Sequence, residues 1–457
     1  MNSDKNISIT DFIDFNPVRP LKKGTIAAFV DMAALSVNSR DVSEIGQREF
    51  TGSGSKFQNG DTLFARITPC LENGKTAKIM GIPNLGTAHG STEFIVMAAK
   101  DPENDADFVY YLSRLPEFRT YAQTHMEGTS GRQRVGWQSL AQFEYDFPQP
   151  KFRKKIGQIL REIDDKIELN RQTNQTLEQV AQAMFKSWFV DFEPTRAKIA
   201  AIEAGATAKE TERAAMCAIS GKTDEELDQL APEVLQQLKA TAALFPDALV
   251  ESELGEIPEG WEVKKIGNYL DTVSKTFPLK SVSEVIFLNT GDIQNGKFLH
   301  SDKSDVSTLP GQAKKSIQKD DILYSEIRPE NRRFAYVYFD TPKHVVSTKL
   351  MVLRATNEIP SLYLYFIVTQ QSTIDYLQML AESRSGTFPQ ITFEAMKNVE
   401  FVGPCNNFLF EEFVNAILDP FFKSQQITDK ENEYLAELRD TLLPKLLSGE
   451  IKVSNVN

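Results

Sequence analysis

The strongest constraint on this chain is that it is written twice: two stretches set roughly 258 residues apart carry the same order of structural signals. NGDTLFARITPCLENGKTAKI, residues 59–79, reads as an apolar strand, a turn at Pro69 and a second strand. Residues 319–339, KDDILYSEIRPENRRFAYVYF, repeat that pattern, with Asp61 falling on Asp321, Leu63 on Leu323 and Arg66 on Glu326. HGSTEFIVMAA (residues 89–99) is matched by HVVSTKLMVLRA (residues 344–355), and both read as strands. Each is followed by a helical pattern rich in Tyr and Leu, then by a Gly-Ser loop, EGTSGRQRVGW or ESRSGTFPQITF. Two related domains follow from the duplication.

After each globular stretch comes a long helical pattern. Ile156, Leu160, Ile163, Ile167, Asn170, Asn174, Leu177, Ala181, Met184 and Trp188 advance by alternating fours and threes, the seam of a coiled coil. A helix over residues 152–192 would be roughly 60 Å long, more than one domain needs for its own packing, and reads as a spacer. Residues 410–450 repeat the segment, with Asn174 on Asn432, Leu177 on Leu435, Met184 on Leu442 and Trp188 on Leu446. The two helices are expected to pair through Ile156, Leu160, Ile163, Ile167, Leu177, Met184, Trp188, Leu435, Leu442 and Leu446. Their polar middles, Asn170 and Asn174 in one, Gln425, Thr428 and Asn432 in the other, fit either a register-setting layer or an ordinary polar patch. Pro420 should kink or interrupt the second helix. An unpartnered apolar face over residues 156–192 would make the isolated chain behave poorly. Residues 193–254, rich in Ala, Glu and Lys, have no counterpart after the second copy and read as a partly helical, solvated, acidic connector.

A chain of 457 residues calls for several domains, and 41% hydrophobic with 25% charged residues is a globular rather than a disordered or fibrous composition. No apolar run is long enough to span a membrane and the N-terminus has no leader pattern, so a cytoplasmic location is expected. Cys70, Cys217 and Cys405 lie far apart in no ligand spacing and read as buried small apolar side chains. His89, His125, His300 and His344 form no metal motif; His89 and His344 recur near the same place in each half and read as structural. TGSGSKF, residues 51–57, lacks the spacing of a phosphate-cradling loop. Asn16-Pro17 is followed by Val18-Arg19 and not by the proline and aromatic with which amino-methyltransferases hold a base, so no methyl transfer and no catalytic residue is expected in this chain.

What remains is a set of basic and amide side chains on turns, suited to base edges and phosphates. These are Lys56, Arg66, Asn73, Lys75, Arg132, Gln133 and Arg134 in the first half, and Arg328, Arg332, Arg333, Arg384, Thr387 and Gln390 in the second. The net charge of −12 counts against DNA binding unless the basic residues gather on the loops or a partner supplies most phosphate contacts.

Three phrases in order carry a family resemblance: IGQILREIDDKIELNRQTNQTLEQVAQAMFKSWFVDFEP (residues 156–194), ALFPDALVESELGEIPEGWEV (residues 243–263) and LAELRDTLLPKLLSGEI (residues 435–451). The chain resembles, over essentially its whole length, the specificity subunits of type I restriction-modification systems. The resemblance implies a mixed α/β fold: two target-recognition domains, residues 1–150 and 255–405, separated by a pair of long antiparallel coiled-coil helices, residues 151–193 and 406–451, with a connector at 194–254 and an internal pseudo-twofold repeat. Each domain would read one half of a bipartite DNA target, and helix length would set the unread spacer. It further implies two modification (methyltransferase) subunits docked on the helices and restriction (translocase/nuclease) subunits, with S-adenosylmethionine, ATP and Mg on those partners and none bound by this chain. Two other readings stand beside it. One is a coiled-coil adaptor whose lobes bind proteins, which the acidic charge favours; the other is a fused enzyme, which the missing motifs disfavour.

Overall fold

A computed structural model of the chain describes residues 7–83, 86–129, 131–356, 358–384 and 388–453. It divides into two compact units, the first made of Met1–Gln175 with Gln426–Asn457, the second of Thr176–Gln425. Among the described residues no helix is long and apolar enough to cross a membrane.

In the first unit, the run FIVMAA forms strand Phe94–Ala99, which lies between Ile13–Phe15 and Thr62–Ala65 in a four-stranded sheet completed by Thr76–Lys78. All of its pairings are antiparallel, with Leu63 opposite both Ala77 and Val96. Successive side chains of a strand point to opposite faces. Phe94 and Val96 therefore join Leu63, Phe57 and Val30 in one cluster, while Ile95 and Met97 join Phe64, Phe108 and Phe118 in another. With both faces covered, the strand shows an unbroken apolar run in place of alternation. A second sheet orders Gly46–Glu49, Ile26–Val30, Ala88–Gly90 and Ser55–Phe57, its central pair parallel with Phe29 opposite His89. Helix Pro102–Arg114 starts on Asp101, whose carboxylate accepts from the Asn104 amide, and ends where Pro116 opens the next helix, Pro116–Thr124. Tyr110, Tyr111, Phe108 and Phe118 are fully buried on that side.

The second unit has the same strand order. Leu270–Thr272, Leu350–Ala355, Ile322–Ser325 and Phe334–Tyr336 form an antiparallel sheet. Lys303–Asp305, Glu284–Leu288, His344–Ser347 and Ala313–Ser316 form the other, whose central pair is again parallel, Ile286 opposite His344. Leu323, Leu350 and Val352 face one cluster, and Ile322, Tyr324, Met351 and Leu353 the other. The carboxylates at the strand starts are buried alike. Asp61 accepts from the Gln58 amide and is paired with Arg19 at 2.6 Å; Asp321 accepts from the Gln318 amide and is paired with Arg354 at 2.7 Å.

The central helix, Pro150–Phe189, is a single element of 40 residues. Its apolar face is covered, contrary to the expectation of an unpartnered stripe. In the first unit Ile156 and Leu160 pack with Phe12, Phe108, Leu443, Leu446 and Leu447, with Leu442 against the same cluster; Ile167 is buried and Ile163 half-buried. In the second unit Trp188 meets Phe413 and Phe245 at ring separations of 5.1 and 5.5 Å, and Leu177 and Met184 pack against that core. The seam residues at either end therefore serve as domain core. Arg153 and Asp105 tie the start of the helix to the first unit through two hydrogen bonds of 2.8 Å.

The terminal helical segment opens at Phe408–Phe413, passes through a π-helical turn, Val414–Leu418, and continues as Asp419–Leu447. Pro420 lies just after that turn: widening the helix there accommodates a residue that can donate no backbone hydrogen bond without breaking the rod. In the first unit Asn170 donates to Glu431 and Asn432 at 2.7 and 2.9 Å, and Asn174 donates to Asp429 at 3.3 Å and accepts from Thr428 at 2.8 Å. Both asparagines are under 5% exposed, so this is a buried polar layer rather than a solvated patch. Leu435 is half-buried on the same segment.

Residues 193–254 are not a solvated linker. Helices Glu193–Glu203, Ala208–Ser220, Asp224–Leu227 and Pro232–Ala243 fold into the second unit and bury Ala215, Met216, Ile219, Leu227 and Ala242 beside Trp188 and Phe245. Capping boxes at Thr207 and Thr223 start two of these short helices. The cysteines are less buried than expected: Cys70 and Cys217 are half-buried and Cys405, just past strand Glu400–Pro404, is exposed.

Candidate nucleic-acid interface

In the first unit three chain segments meet at the end of strand Thr62–Ala65. The Arg66 amide donates to the Glu93 carbonyl, the Val135 amide to the Arg66 carbonyl and the Thr68 amide to the Gln133 carbonyl, each at 3.0 Å. These bonds hold the turn after Ala65, the Ser91-Thr92 corner and the Gly-Ser loop together. Gln133 is half-buried in this junction and Arg132 is exposed beyond it; Ser130 of the same loop lies outside the described residues. Arg134 is not free. Its guanidinium grips Glu93 at 2.7 Å, and that carboxylate raises the Arg134 pKa further.

The adjoining turn is shaped by Arg119, which donates to the Gly74 carbonyl at 2.8 Å and to Thr76 at 2.9 Å and whose pKa burial pulls down to about 10. Gly74 has φ +81°, a conformation that favours glycine, and a Cβ there would meet Arg119 Nη1 at 2.6 Å, so a larger residue would also push the guanidinium end aside. Asn73 is exposed on this turn, whereas Lys75 turns inward and donates to the Met32 carbonyl at 3.0 Å. Lys56 and Arg66 line one cavity of about 380 Å³ together with Arg19, Ser55 and Thr92. The Lys56 ammonium stands 5.2 Å over the Phe50 ring.

The second unit is joined by the same three kinds of bond: Glu326 amide to Lys349 carbonyl at 3.1 Å, Ile391 amide to Glu326 carbonyl at 2.8 Å and Arg328 amide to Pro389 carbonyl at 3.1 Å. Gln390 bridges Ile327 there, as Arg134 bridges Ile67 in the first unit. The side chains differ. Glu326 stands where the first unit's bonds use Arg66, and Lys349, 3.9 Å from Glu326, where they use Glu93. Arg328 is exposed at φ +44° on the turn. Arg332 reaches Gln371 and lines a different cavity with Glu178 and Phe422, and Arg333 is half-buried, its carbonyl bonded to the Ser325 amide. Arg384 is exposed at a helix end, with Thr392 at 3.4 Å, and Thr387 lies outside the described residues.

Sequence reasoning missed Arg19, read only as part of an absent motif. It also missed that Glu93 neutralises Arg134; the acid is 41 residues away, so no local pattern signals it. His89 is buried, bonded to the Arg48 carbonyl at 3.0 Å and edge-on to Phe29 and Phe50, a structural placement. Among the described residues no group of three or more His, Cys, Asp or Glu is placed to hold a metal.

Residues 258–435 match the family model described as Type I restriction modification DNA specificity domain. The chain is 32% identical over 423 residues to the specificity subunit of the type I restriction enzyme HindI of Haemophilus influenzae, a match spanning 88% of this chain and 89% of that protein. It is 23% identical over 358 residues to the MjaIX specificity subunit of Methanocaldococcus jannaschii, spanning 77% and 70%. Among solved structures, the S subunit of a type I restriction-modification system from M. genitalium aligns over 96% of this chain and 95% of its own length at 16% identity and a TM-score of 0.49. The chain is thus a DNA-target recognition protein of the restriction-modification class. Within that class it belongs to the specificity subunits of type I restriction enzymes.

Proposed function

We propose that this chain, without chemistry of its own, aims partner enzymes at a split DNA target. Residues 1–150 read one half and residues 255–405 the other. Residues 151–193 and 406–451 form an antiparallel helical pair that docks two methyltransferase subunits, and residues 194–254 connect them. S-adenosylmethionine, ATP and Mg belong to the methyltransferase and restriction partners in this reading, and the assembly works in the cytoplasm on double-stranded DNA.

The observation that supports it best is a shared scaffold with different readers. The same three backbone bonds assemble the loop junction in each unit, yet the side chains there are Arg66, Glu93 and Arg134 in one and Glu326, Lys349 and Gln390 in the other. Two duplicated domains with one frame and altered polar side chains are what two unlike half-sites require. The repeat itself is supported by the common strand order, and the helical pair by Asn170 and Asn174 meeting residues 428–432 in opposite chain order. The protein-binding adaptor is not favoured, because the relatives are specificity subunits.

Methylation mapping in cells expressing the chain with its neighbouring methyltransferase tests the proposal. A split motif should appear. Substituting Arg132 and Arg134 should relax or change one half of it, and substituting Arg328 and Gln390 the other. An active methyltransferase that produces no split motif would sink the proposal.

A further inference from the structure

We infer that the first-unit cavity lined by Arg19, Lys56 and Arg66 is a binding site for one phosphate of the DNA backbone, and that the second unit has no equivalent. The inference rests on the DNA-recognition reading and adds to it a specific phosphate contact, carried by one unit alone.

Charge balance is the first argument. Elsewhere Arg153 is matched by Asp105, Arg439 by Asp164 and Arg40 by Asp41, and Arg119, which has no carboxylate beside it, is held by the Gly74 carbonyl and the Thr76 hydroxyl. At this cavity Arg19 is matched by Asp61, whose other oxygen is already taken by the Gln58 amide. Arg66 and Lys56 have no carboxylate partner among the described residues, and the Nε atoms of both Arg19 and Arg66 are buried without an acceptor. Two cations without a carboxylate partner thus line one space of about 380 Å³, where an anion would complete the set.

The donors also suit a tetrahedral anion. Arg66 brings a guanidinium fork, Thr92 a hydroxyl and Lys56, its ammonium 5.2 Å over the Phe50 ring, a point charge, while the Ser55 hydroxyl already donates to the Phe94 carbonyl at 2.8 Å. The backbone is drawn in tightly at the same place. Gly54 has φ +118°, and a Cβ on it would meet the Gly90 carbonyl oxygen at 2.4 Å.

Position supplies the third argument. The Arg66 main chain is the hub of the loop junction, bonded to Glu93 and Val135, so an anion held by its side chain lies beside the loop that carries Arg132 and Arg134. In the second unit Glu326 occupies the corresponding hub and would repel a phosphate.

The test uses the chain assembled with its methyltransferase subunits and a duplex bearing its methylation motif. Affinity is measured across salt for wild type, K56Q and R66Q. Each variant should bind about tenfold more weakly, the slope of log K against log salt should shrink by about one, and the mapped motif should be unchanged. Neutral methylphosphonate linkages placed singly along the duplex give a readout independent of any folding defect. One position, in one half-site only, should weaken wild type and have no further effect on R66Q. Affinity and slope unchanged in both variants would overturn the site, as would a changed motif, which would make these base contacts. Competition by inorganic phosphate in wild type, without any sensitive methylphosphonate position, would mark a free-anion site and overturn the DNA assignment. Failure of the wild-type assembly to bind duplex at all would remove the recognition reading itself.

Discussion

Asp164 on the central helix and Arg439 on the terminal helix are joined at 2.7 Å with only 5% of either side chain exposed. Tyr111 donates to the second carboxylate oxygen at 2.7 Å, and burial beside Asp164 holds its phenol well above the usual range. A charge pair this deep is more informative about specificity than about stability, since desolvation offsets much of its attraction. It ties both helices and helix Pro102–Arg114 to one carboxylate.

Breaking that pair from one side should be severe. R439M leaves Asp164 buried with a single donor, and the first unit should lose about 3–5 kcal/mol. D164L/R439M removes both charges and should recover most of the loss. Urea unfolding of the full chain, followed through a first-unit probe, gives the comparison. A double variant as unstable as the single one would show that packing around the pair, and not the stranded charge, carries the effect.

The buried polar layer makes a second expectation. N174A removes the acceptor that Thr428 uses at 2.8 Å and the donor that reaches Asp429, which should cost about 1–3 kcal/mol. Leu169 lies on the same helix but is 57% exposed. L169A should change stability by no more than about 0.5 kcal/mol. Thermal melting of the two variants side by side separates a polar layer that holds the helices from a patch that merely tolerates water, because equal melting temperatures would leave no role for the layer.

Much of this fold was legible in the sequence because burial leaves a periodic trace. Phe94–Ala99 and Leu350–Ala355 are covered on both faces and so read as unbroken apolar runs. The seam from Ile156 to Trp188 kept its spacing even though its ends pack into domain cores. What stayed hidden depends on partners distant in the chain. Asn170 finds Glu431 across 261 residues, so the same letters fit a solvated patch until the second helix is in place. The connector at 193–254 looked soluble because Met216, Ile219 and Leu227 are thinly spread over short helices, and only Trp188 and Phe245 show what they bury against. The basic residues were the hardest to rank. Arg66 and Arg134 look alike in the sequence, yet one has an unpartnered buried Nε and the other is clamped by Glu93.

His344 gives the pH expectation. It opens the central strand His344–Ser347 of the second unit, with its ring 4.9 Å from Phe339 and its Nδ1 buried without a partner. Burial disfavours the imidazolium and lowers the pKa below the ordinary value of 6.5. Above that ordinary value the ring is neutral in folded and unfolded chains alike, and its titration leaves stability untouched. As pH falls below it the unfolded chain takes up the proton first, so stability drops until the folded pKa is passed and then levels off. H344F keeps a ring against Phe339 and removes the titration. Urea unfolding at a mildly alkaline and a mildly acidic pH should therefore show the wild-type second unit losing more stability on acidification than H344F does. The remaining histidines and the carboxylates are common to both chains and cancel in the difference. Parallel losses in the two proteins would mean that the folded His344 takes up its proton as readily as the unfolded one, and that the strand yields to admit water.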